Sequence, residues 1–321
     1  MSNRVYQMEC IGNEYVLPNE KYDYLIIAPN IEERSGFFCR KFMTKNIFKK
    51  VILMDYPNFH SGLSEEQEEH FLCDFCGKEF IHLKCDNDDD AIYKLCEAGI
   101  KQQDNIAFDM TGFSIPNIYR IMHAFKYGIK INILDVYYTE PLSYVYDKGY
   151  YDAYHAYLGE RKCVPVKGYY YSGRNEKEIL TIFLGFESGL AYNVYFKLSE
   201  DAADTVETLV VNGFPSYTPK LKDVSLYNNE QIITQIGRER VYHATASNPF
   251  SAYNLLCTIL EKNRGKLLNI CTIGAKPMAL GACIFALENA GKVKIVYPFY
   301  EKKNFDVNEK PGKTWKYTVE I

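Results

Sequence analysis

Two stretches of this chain share one pattern, NIAFDMTGFSIP at residues 105–116 and LLNICTIGAKP at residues 267–277. Each stretch runs from an apolar, strand-like segment through a glycine to a proline that suits the first turn of a helix. A further apolar segment begins 19 residues after Gly112 and again 19 residues after Gly274. The spacing therefore predicts two copies of one strand–turn–helix–strand unit.

Upstream of each glycine, a second pair of matching signals supports the duplication. One apolar strand is followed by Glu33-Arg34-Ser35-Gly36, and another by Glu187-Ser188-Gly189. Strands and helical patterns alternate through most of the chain, with one helix predicted over 224–236, and this order is typical of parallel sheets covered by helices. The alternative is one continuous doubly wound sheet with generic turns.

We predict an α/β fold of two tandem Rossmann-like halves, each a parallel sheet in a three-layer arrangement, related by a pseudo-twofold. The predicted division is an N-terminal extension at 1–20, a first half at 21–140, a Tyr-rich linker or hairpin insertion at 141–177, and a second half at 178–321. The tyrosine-rich segment breaks the alternating pattern, which is why it is placed between the halves.

Composition limits the class of protein. Of 321 residues, 47% are hydrophobic and 24% are charged, which excludes wholesale disorder. A net charge of −4 argues against bulk nucleic-acid binding, which favours a basic excess. No apolar run reaches the roughly 18 residues of a membrane span, and the first residues do not resemble a signal peptide, so we expect a cytoplasmic protein without a membrane partner.

The ten cysteines are expected to be reduced thiols in such a compartment. Cys73 and Cys76 form the one close pair, and His70, His82 and Cys85 are near enough in sequence to complete a zinc site. The alternative is that these cysteines are small buried hydrophobic residues. The sequence leaves both interpretations open.

The matched turns are the candidate binding loops, because ligands of parallel α/β sheets lie beyond the carboxyl ends of the strands. In the first half, Thr111-Gly112 ends a strand and opens a helix, with Asp109 before it and Ser114 as the predicted N-cap. Such a turn presents backbone N–H groups at the positive end of a helix and can hold an anion. The alternative is a cap and turn without a ligand.

In the second half, Lys276 follows Gly274 at the start of the helix, and a cation beside N–H groups suits phosphate or carboxylate. The loops after the first strand of each half add further candidate ligand contacts: Asn30, Arg34, Ser35 and Ser188. The chain carries neither a P-loop, nor a G-x-G-x-x-G fingerprint, nor a G-x-S-x-G elbow, and no cofactor is predicted.

Candidate catalytic groups are Glu33 and Glu187, which could form paired carboxylates across the pseudo-twofold and divide acid and base roles. The alternative is that they are helix-start charges favoured by the helix dipole. His123 and His243 are more typical of satisfied core residues than of catalytic bases.

A strand ending in Thr111-Gly112 before a helix, and Gly274-Ala275-Lys276-Pro277 before another, resemble the signature turn of CARF and SAVED domains. The first half has Phe113-Ser114 where that signature carries a second glycine and a threonine, and the second half lacks its Thr-Gly-Gly run. The resemblance covers about 20–140 and 178–305, and it implies Rossmann-like sensors of oligonucleotide second messengers in prokaryotic defence, working as pairs with the ligand between them.

Three functions follow as hypotheses. The first is a sensor of a nucleotide-like anion in the cleft between the halves, which would need a separate effector protein as partner. The second is an enzyme acting on a nucleotide or phosphorylated metabolite in the same cleft. The third is a scaffold subunit whose Tyr-rich segment at 144–171 docks a partner.

Overall fold

The structure is a computed structural model that describes residues 6–11, 21–29, 33–42, 47–55, 79–85, 90–142, 157–158, 162–170, 177–187, 189–200, 206–299, 302–303 and 310–321. The chain divides into two compact units. Unit 1 comprises Met1–Val145 and Phe305–Ile321, and unit 2 comprises Tyr146–Asn304. Each unit is built on its own sheet.

In the described ranges, unit 1 is built from strands and helices of the first half of the chain, together with the last strand. The strands are β1 (Tyr6–Ile11), β2 (Tyr22–Ile27), β3 (Phe48–Asp55), β4 (Glu79–Lys84), β5 (Ile106–Asp109), β6 (Ile133–Pro141) and β15 (Pro311–Glu320). The helices are α1 (Phe37–Phe42), α2 (Asp90–Glu97) and α3 (Ile115–His123), the last of which continues as a π-helix over Ala124–Ile129.

The sheet of unit 1 has the order β1-β15-β6-β5-β2-β3-β4. The five strands from β6 to β4 are parallel, and β15 and β1 add antiparallel pairs at one side. The chain reverses direction across the sheet between β2 and β5, so this is the switch point of unit 1.

The elements of unit 2 are the following. Its strands are β7 (Tyr157–Leu158), β8 (Lys162–Pro165), β9 (Glu178–Phe183), β10 (Val206–Gly213), β11 (Val241–Ala244), β12 (Leu267–Thr272), β13 (Val293–Phe299) and β14 (Lys302–Lys303). Its helices are α4 (Leu190–Glu200), α5 (Pro219–Asn228), α6 (Glu230–Ile236), α7 (Pro249–Lys262) and α8 (Lys276–Glu288).

The main sheet of unit 2 has the order β11-β10-β9-β12-β13-β8, and its first five strands are parallel. This parallel order is the same as the order β4-β3-β2-β5-β6 of unit 1. The right-handed crossover rule places α4 to α6 on one face of the sheet and α7 and α8 on the other. The repeated order confirms the predicted α/β fold of two tandem halves, and the pseudo-twofold between them stays a prediction.

Three predicted boundaries are corrected by the strand pairing. The second half does not extend to Ile321, because β15 pairs with β6 in the sheet of unit 1. The segment 1–20 is not only an extension, since β1 pairs with β15. The segment 141–177 is not only a linker, since β8 pairs antiparallel with β13. The physical reason is shared: a parallel sheet leaves unpaired N–H and C=O groups at its edge, and an antiparallel strand satisfies them.

The predicted helix over 224–236 is two helices, because Asn229 interrupts it. The side-chain Nδ2 of Asn229 donates to the carbonyl oxygens of Ser225 at 2.8 Å and Gly185 at 2.9 Å. The first bond ends α5, and the second connects this helix end to the loop after β9. In contrast, α8 runs without a break and is buried on every face from Pro277 to Leu287. Within the described ranges, no helix combines the length and the apolar character of a membrane span.

Candidate functional site

The two predicted loops of unit 1 meet at its switch point. The hydroxyl of Ser35 donates to the carbonyl oxygen of Ala28, just after β2, at 2.9 Å. A Cβ on Gly112 would lie 2.4 Å from that same carbonyl oxygen and 2.4 Å from Ser35 Oγ. Position 112 therefore requires glycine for steric reasons, because it is where the turn after β5 touches the loop after β2.

Unit 2 repeats this contact at the same place in its sheet. A Cβ on Gly274 would lie 2.3 Å from the carbonyl oxygen of Leu184, which follows β9 as Ala28 follows β2. The approach is mutual, since a Cβ on Gly185 would lie 2.4 Å from the carbonyl oxygen of Ile273. The two glycines that the sequence pattern aligned thus occupy equivalent positions in the two units.

In unit 1, the turn at Thr111-Gly112 uses its donors inside the fold. Asp109 Oδ1 accepts a hydrogen bond from the backbone N–H of Thr111 at 2.9 Å, and both side chains are buried. Ser114 is the N-cap of α3, as predicted, and its hydroxyl accepts from the backbone N–H of Asn117 at 3.4 Å. These contacts favour the cap-and-turn interpretation, because the Asp109 carboxylate already accepts a backbone N–H of the turn.

Arg34 is an internal anchor of unit 1. Its Nη1 donates to the carbonyl oxygen of Thr139 at 3.1 Å and to the hydroxyl of Tyr138 at 3.3 Å. Its guanidinium also lies over the Tyr138 ring, 5.8 Å from the centroid, and the residue is 6% exposed. The side chain predicted to meet a ligand thus fastens the loop after β2 to the carboxyl end of β6.

In unit 2, the start of α8 differs from the start of α3. Its N-cap residue is Ala275, whose methyl group cannot accept a hydrogen bond as Ser114 does. Lys276 is the first helical residue and is half-buried, and Pro277 after it is buried. The positive end of this helix dipole and a lysine residue are therefore adjacent in the chain, next to the contact between Gly274 and Leu184.

The loop after β9 is held by polar side chains from α5, which the sequence analysis did not identify. Ser225 Oγ donates to the carbonyl oxygen of Gly185 at 3.0 Å, the same oxygen that Asn229 Nδ2 contacts. Asn228 Nδ2 donates to the carbonyl oxygen of Phe186 at 2.5 Å. The sequence signal that could have identified these contacts is a serine followed closely by two adjacent asparagines at the end of a helix. These bonds fix the backbone that leads into Glu187.

The remaining predicted residues have different environments. Glu187 is 5% exposed, whereas Glu33 is exposed. They lie in different units, and their pairing stays a prediction. Asn30 and Ser188 lie outside the described residues.

The two histidines also differ. The core interpretation is wrong for His243, which is exposed on β11 with its ring 5.8 Å from that of Phe214. His123 is half-buried on α3, and burial lowers its pKa, so it is neutral at pH 7. Its ring lies 4.7 Å from that of Tyr127.

Two buried thiols of unit 2 are protonated. Burial raises the pKa of Cys271 on β12 well above its usual range, and it raises the pKa of Cys283 on α8 to about 12. Because the thiolate is the nucleophilic form, neither group suits covalent catalysis. The described residues contain no group of three metal-ligating side chains. Cys73, Cys76 and His70 lie outside the described residues, so the zinc site stays a prediction.

Thr111→Val is expected to lower the free energy of unfolding by about 2 kcal/mol. Thr111 Oγ1 accepts from the backbone N–H of Thr139 at 3.0 Å, and valine would leave that buried donor without an acceptor. The matched control is Thr181→Val on β9, since no described residue lies within hydrogen-bond reach of the buried Thr181 hydroxyl. We expect that control to be neutral or stabilising in urea unfolding, and equal losses in the two variants would contradict the assigned hydrogen bond.

Comparisons with known proteins show only distant likeness. No family model matches the chain, and no curated protein matches it. A functionally unknown Pseudomonas aeruginosa protein is similar over 87% of this chain and 93% of its own, at 7% identity and a TM-score of 0.26. A putative universal stress protein of the same organism covers 86% and 94%, at 8% identity and a TM-score of 0.26.

The cytoplasmic domain of a prokaryotic cation chloride cotransporter is similar over 88% of this chain and 96% of its own. Its identity to this chain is 10% and the TM-score is 0.25. Scores this low carry no argument about function. The fold assignment therefore rests on the strand order of the two sheets, and the functional argument rests on the residues of the chain itself.

Proposed function

We propose that this protein is a binding module for a nucleotide-like anion, held in unit 2 at the carboxyl ends of β9 and β12. The observation that supports the proposal is the junction of three features at the switch point. These are the backbone contact between Gly274 and Leu184, the start of α8 at an alanine that cannot cap it, and Lys276 as the first helical residue.

The chemistry of this junction favours a phosphate group. Glycine at position 274 keeps the backbone free of a side chain, and the first turn of α8 directs N–H groups outward at the positive end of the helix dipole. Lys276 adds a full positive charge. In unit 1, by contrast, the equivalent turn carries the buried carboxylate of Asp109, which repels an anion. We therefore place the phosphate in unit 2.

The resemblance to CARF and SAVED domains makes the proposal more specific. It favours a second-messenger sensor of a prokaryotic defence or stress system, with a separate effector protein as partner. The alternative of an enzyme acting at the same site of unit 2 has one supporting observation, the buried carboxylate of Glu187 in the loop after β9.

Lys276→Ala is expected to weaken binding of the phosphate ligand by roughly 10- to 100-fold, the usual contribution of a hydrogen bond to a charged group. Binding would be measured by calorimetry with nucleoside mono-, di- and triphosphates and with linear and cyclic oligonucleotides. Folding should change little, because Lys276 is half-buried at the amino end of the helix and its truncation leaves the buried turns from Pro277 to Leu287 in place.

The matched control is Lys292→Ala, which removes an exposed lysine from the amino end of β13 and should leave affinity unchanged. Equal binding by Lys276→Ala and the unmodified protein would contradict the site. Product analysis of the same mixtures separates the alternatives. Unchanged ligand supports a binding module, and turnover that is lost in Glu187→Gln supports an enzyme.

A further inference from the structure

A cavity of about 280 Å³ lies at the edge of the unit 2 sheet, away from the switch point. It is a half-open pocket that is bordered by the end of α5, the first turns of α6, the segment 238–240 and strand β11. The lining residues are Leu226, Tyr227, Glu230, Ile233, Arg238, Val241 and His243. Because β10 lies between β11 and β9, the strand that borders the cavity is two strand spacings, about 10 Å, from the switch point. None of its lining residues was among the predicted site residues.

The floor and wall of the cavity suit a flat ring. Ile233 is buried and Val241 is half-buried, so the floor is apolar. Tyr227 is 65% exposed and presents its ring at the wall. A tyrosine ring offers a rigid stacking surface for a nucleic-acid base, since every base has a π-face. The volume is close to the lower end of small-ligand pockets, which corresponds to a nucleoside and not to a larger cofactor.

The rim carries one carboxylate and one guanidinium that can still form hydrogen bonds to a ligand. Glu230 Oε1 and Arg238 Nη2 are 3.7 Å apart, which is longer than a hydrogen bond. Their side chains are 59% and 84% exposed. The carboxylate can accept two N–H groups, and the guanidinium can donate two parallel hydrogen bonds. The two charges cancel, so the rim favours a neutral polar ligand over a free phosphate.

We propose that this cavity binds a purine base with adjacent donor and acceptor groups, for which guanine is the best match. Guanine presents N–H groups at N1 and N2 beside acceptors at O6 and N7. In this arrangement the base stacks on Tyr227, Glu230 accepts from its N–H groups, and Arg238 donates to O6 and N7. Adenine lacks the paired N–H donors and is bound more weakly. This proposal is independent of the phosphate site at the switch point.

The test uses the full chain and guanosine, which carries no phosphate and therefore does not report on the switch point. Titration up to about 1 mM, followed by saturation-transfer NMR and calorimetry, should detect binding. Guanosine should bind more tightly than adenosine, and inosine, which lacks the N2 amino group, should fall between them. No detectable binding of guanosine overturns the proposal, as does equal binding of all three.

Variants separate stacking from edge recognition. Tyr227→Ala should weaken guanosine binding about tenfold or more through loss of stacking. Glu230→Gln should remove the preference for guanosine over inosine while binding persists. The control is Tyr93→Ala, which removes a tyrosine of similar exposure, 69%, from unit 1 and should change nothing. If Tyr227→Ala binds guanosine as well as the unmodified protein, the cavity is not the site and the proposal fails.

The base could come from a free nucleoside or from a single-stranded nucleic acid. A short guanosine-containing RNA is therefore titrated in parallel. Tighter binding of the RNA than of guanosine, again reduced in Tyr227→Ala, assigns the base to a strand. Equal or weaker binding assigns it to the free nucleoside. Both results support base recognition, whereas RNA binding that Tyr227→Ala leaves unchanged overturns it.

Discussion

Lys316→Met is expected to lower the free energy of unfolding by about 3–5 kcal/mol, the cost of breaking a buried ion pair by removing one partner. Lys316 lies on β15, and its Nζ is 3.0 Å from Asp135 Oδ2 on β6. The side chains of the two residues are only 7% and 11% exposed. Methionine fills much of the volume of lysine but leaves the carboxylate without its counter-charge.

The carboxylate of Asp135 is also held by hydroxyl groups, which makes the whole cluster sensitive to the loss of Lys316. Tyr22 donates to Oδ2 at 2.6 Å, and Thr318 donates to Oδ1 at 2.5 Å. Tyr137 lies 2.7 Å from the hydroxyl of Tyr22. Neutral hydroxyl donors stabilise a carboxylate, but they do not replace the positive charge that a buried carboxylate requires.

The control for this prediction is Lys49→Ala. The ion pair between Lys49 and Asp23 has its Nζ–Oδ1 distance at 2.5 Å, yet the lysine side chain is 70% exposed. An exposed pair contributes much less than a buried one, so we expect Lys49→Ala to destabilise unit 1 far less than Lys316→Met does. Urea unfolding of both variants provides the measurement. A loss below about 1 kcal/mol for Lys316→Met would show that the pair does not stabilise unit 1.

Gly274→Ala is expected to destabilise unit 2 by about 3 kcal/mol, at the upper end of the range for overpacking. The added Cβ would lie 2.3 Å from the carbonyl oxygen of Leu184. Neither strand end can move freely, because the Leu184 N–H donates to the carbonyl oxygen of Val211 at 2.9 Å and the Ile273 N–H donates to that of Phe183 at 3.1 Å. Any backbone shift that relieves the clash would therefore break hydrogen bonds at the ends of these strands.

The matched control is Gly213→Ala, at the carboxyl end of the neighbouring strand β10. There the new Cβ would meet the side-chain Cβ of Ala246 at 3.3 Å, which is tight but involves no backbone oxygen. We expect a loss below about 1 kcal/mol for this variant in thermal and urea unfolding. Equal losses at the two positions would mean that the close approach of the loops after β9 and β12 does not limit residue 274.

Much of the fold was predictable because it depends on local pattern. Alternating strands and helices predicted parallel sheets, and equal spacing after Gly112 and Gly274 predicted the duplication. Both glycines were identified correctly as turn positions, since a turn between a strand and a helix has a recognisable sequence. The helix predicted over 224–236 was wrong in one respect, because Asn229 interrupts it by binding the carbonyl oxygens of Ser225 and of Gly185, the second of which lies 44 residues away.

The candidate site was predictable in part. Lys276 and Gly274 were placed correctly at the mouth of a helix, because proline after glycine indicates where a helix begins. The role of Arg34 could not be predicted, since its partners Tyr138 and Thr139 lie more than 100 residues away. The cavity at β11 was missed for a different reason, because its lining residues are close in sequence but belong to two helices and one edge strand that share no sequence motif.

The sequence by itself determined the α/β class, the duplication and the glycine turns, because each of these follows from periodicity and spacing within a few dozen residues. Only the tertiary structure decided that β15 completes the sheet of unit 1. The last strand of the chain has no local signal for its partner, and its pairing with β6 depends on the edge left open there and on the buried contact of Lys316 with Asp135. Long-range pairing of this kind is set by burial and charge, which sequence pattern does not encode.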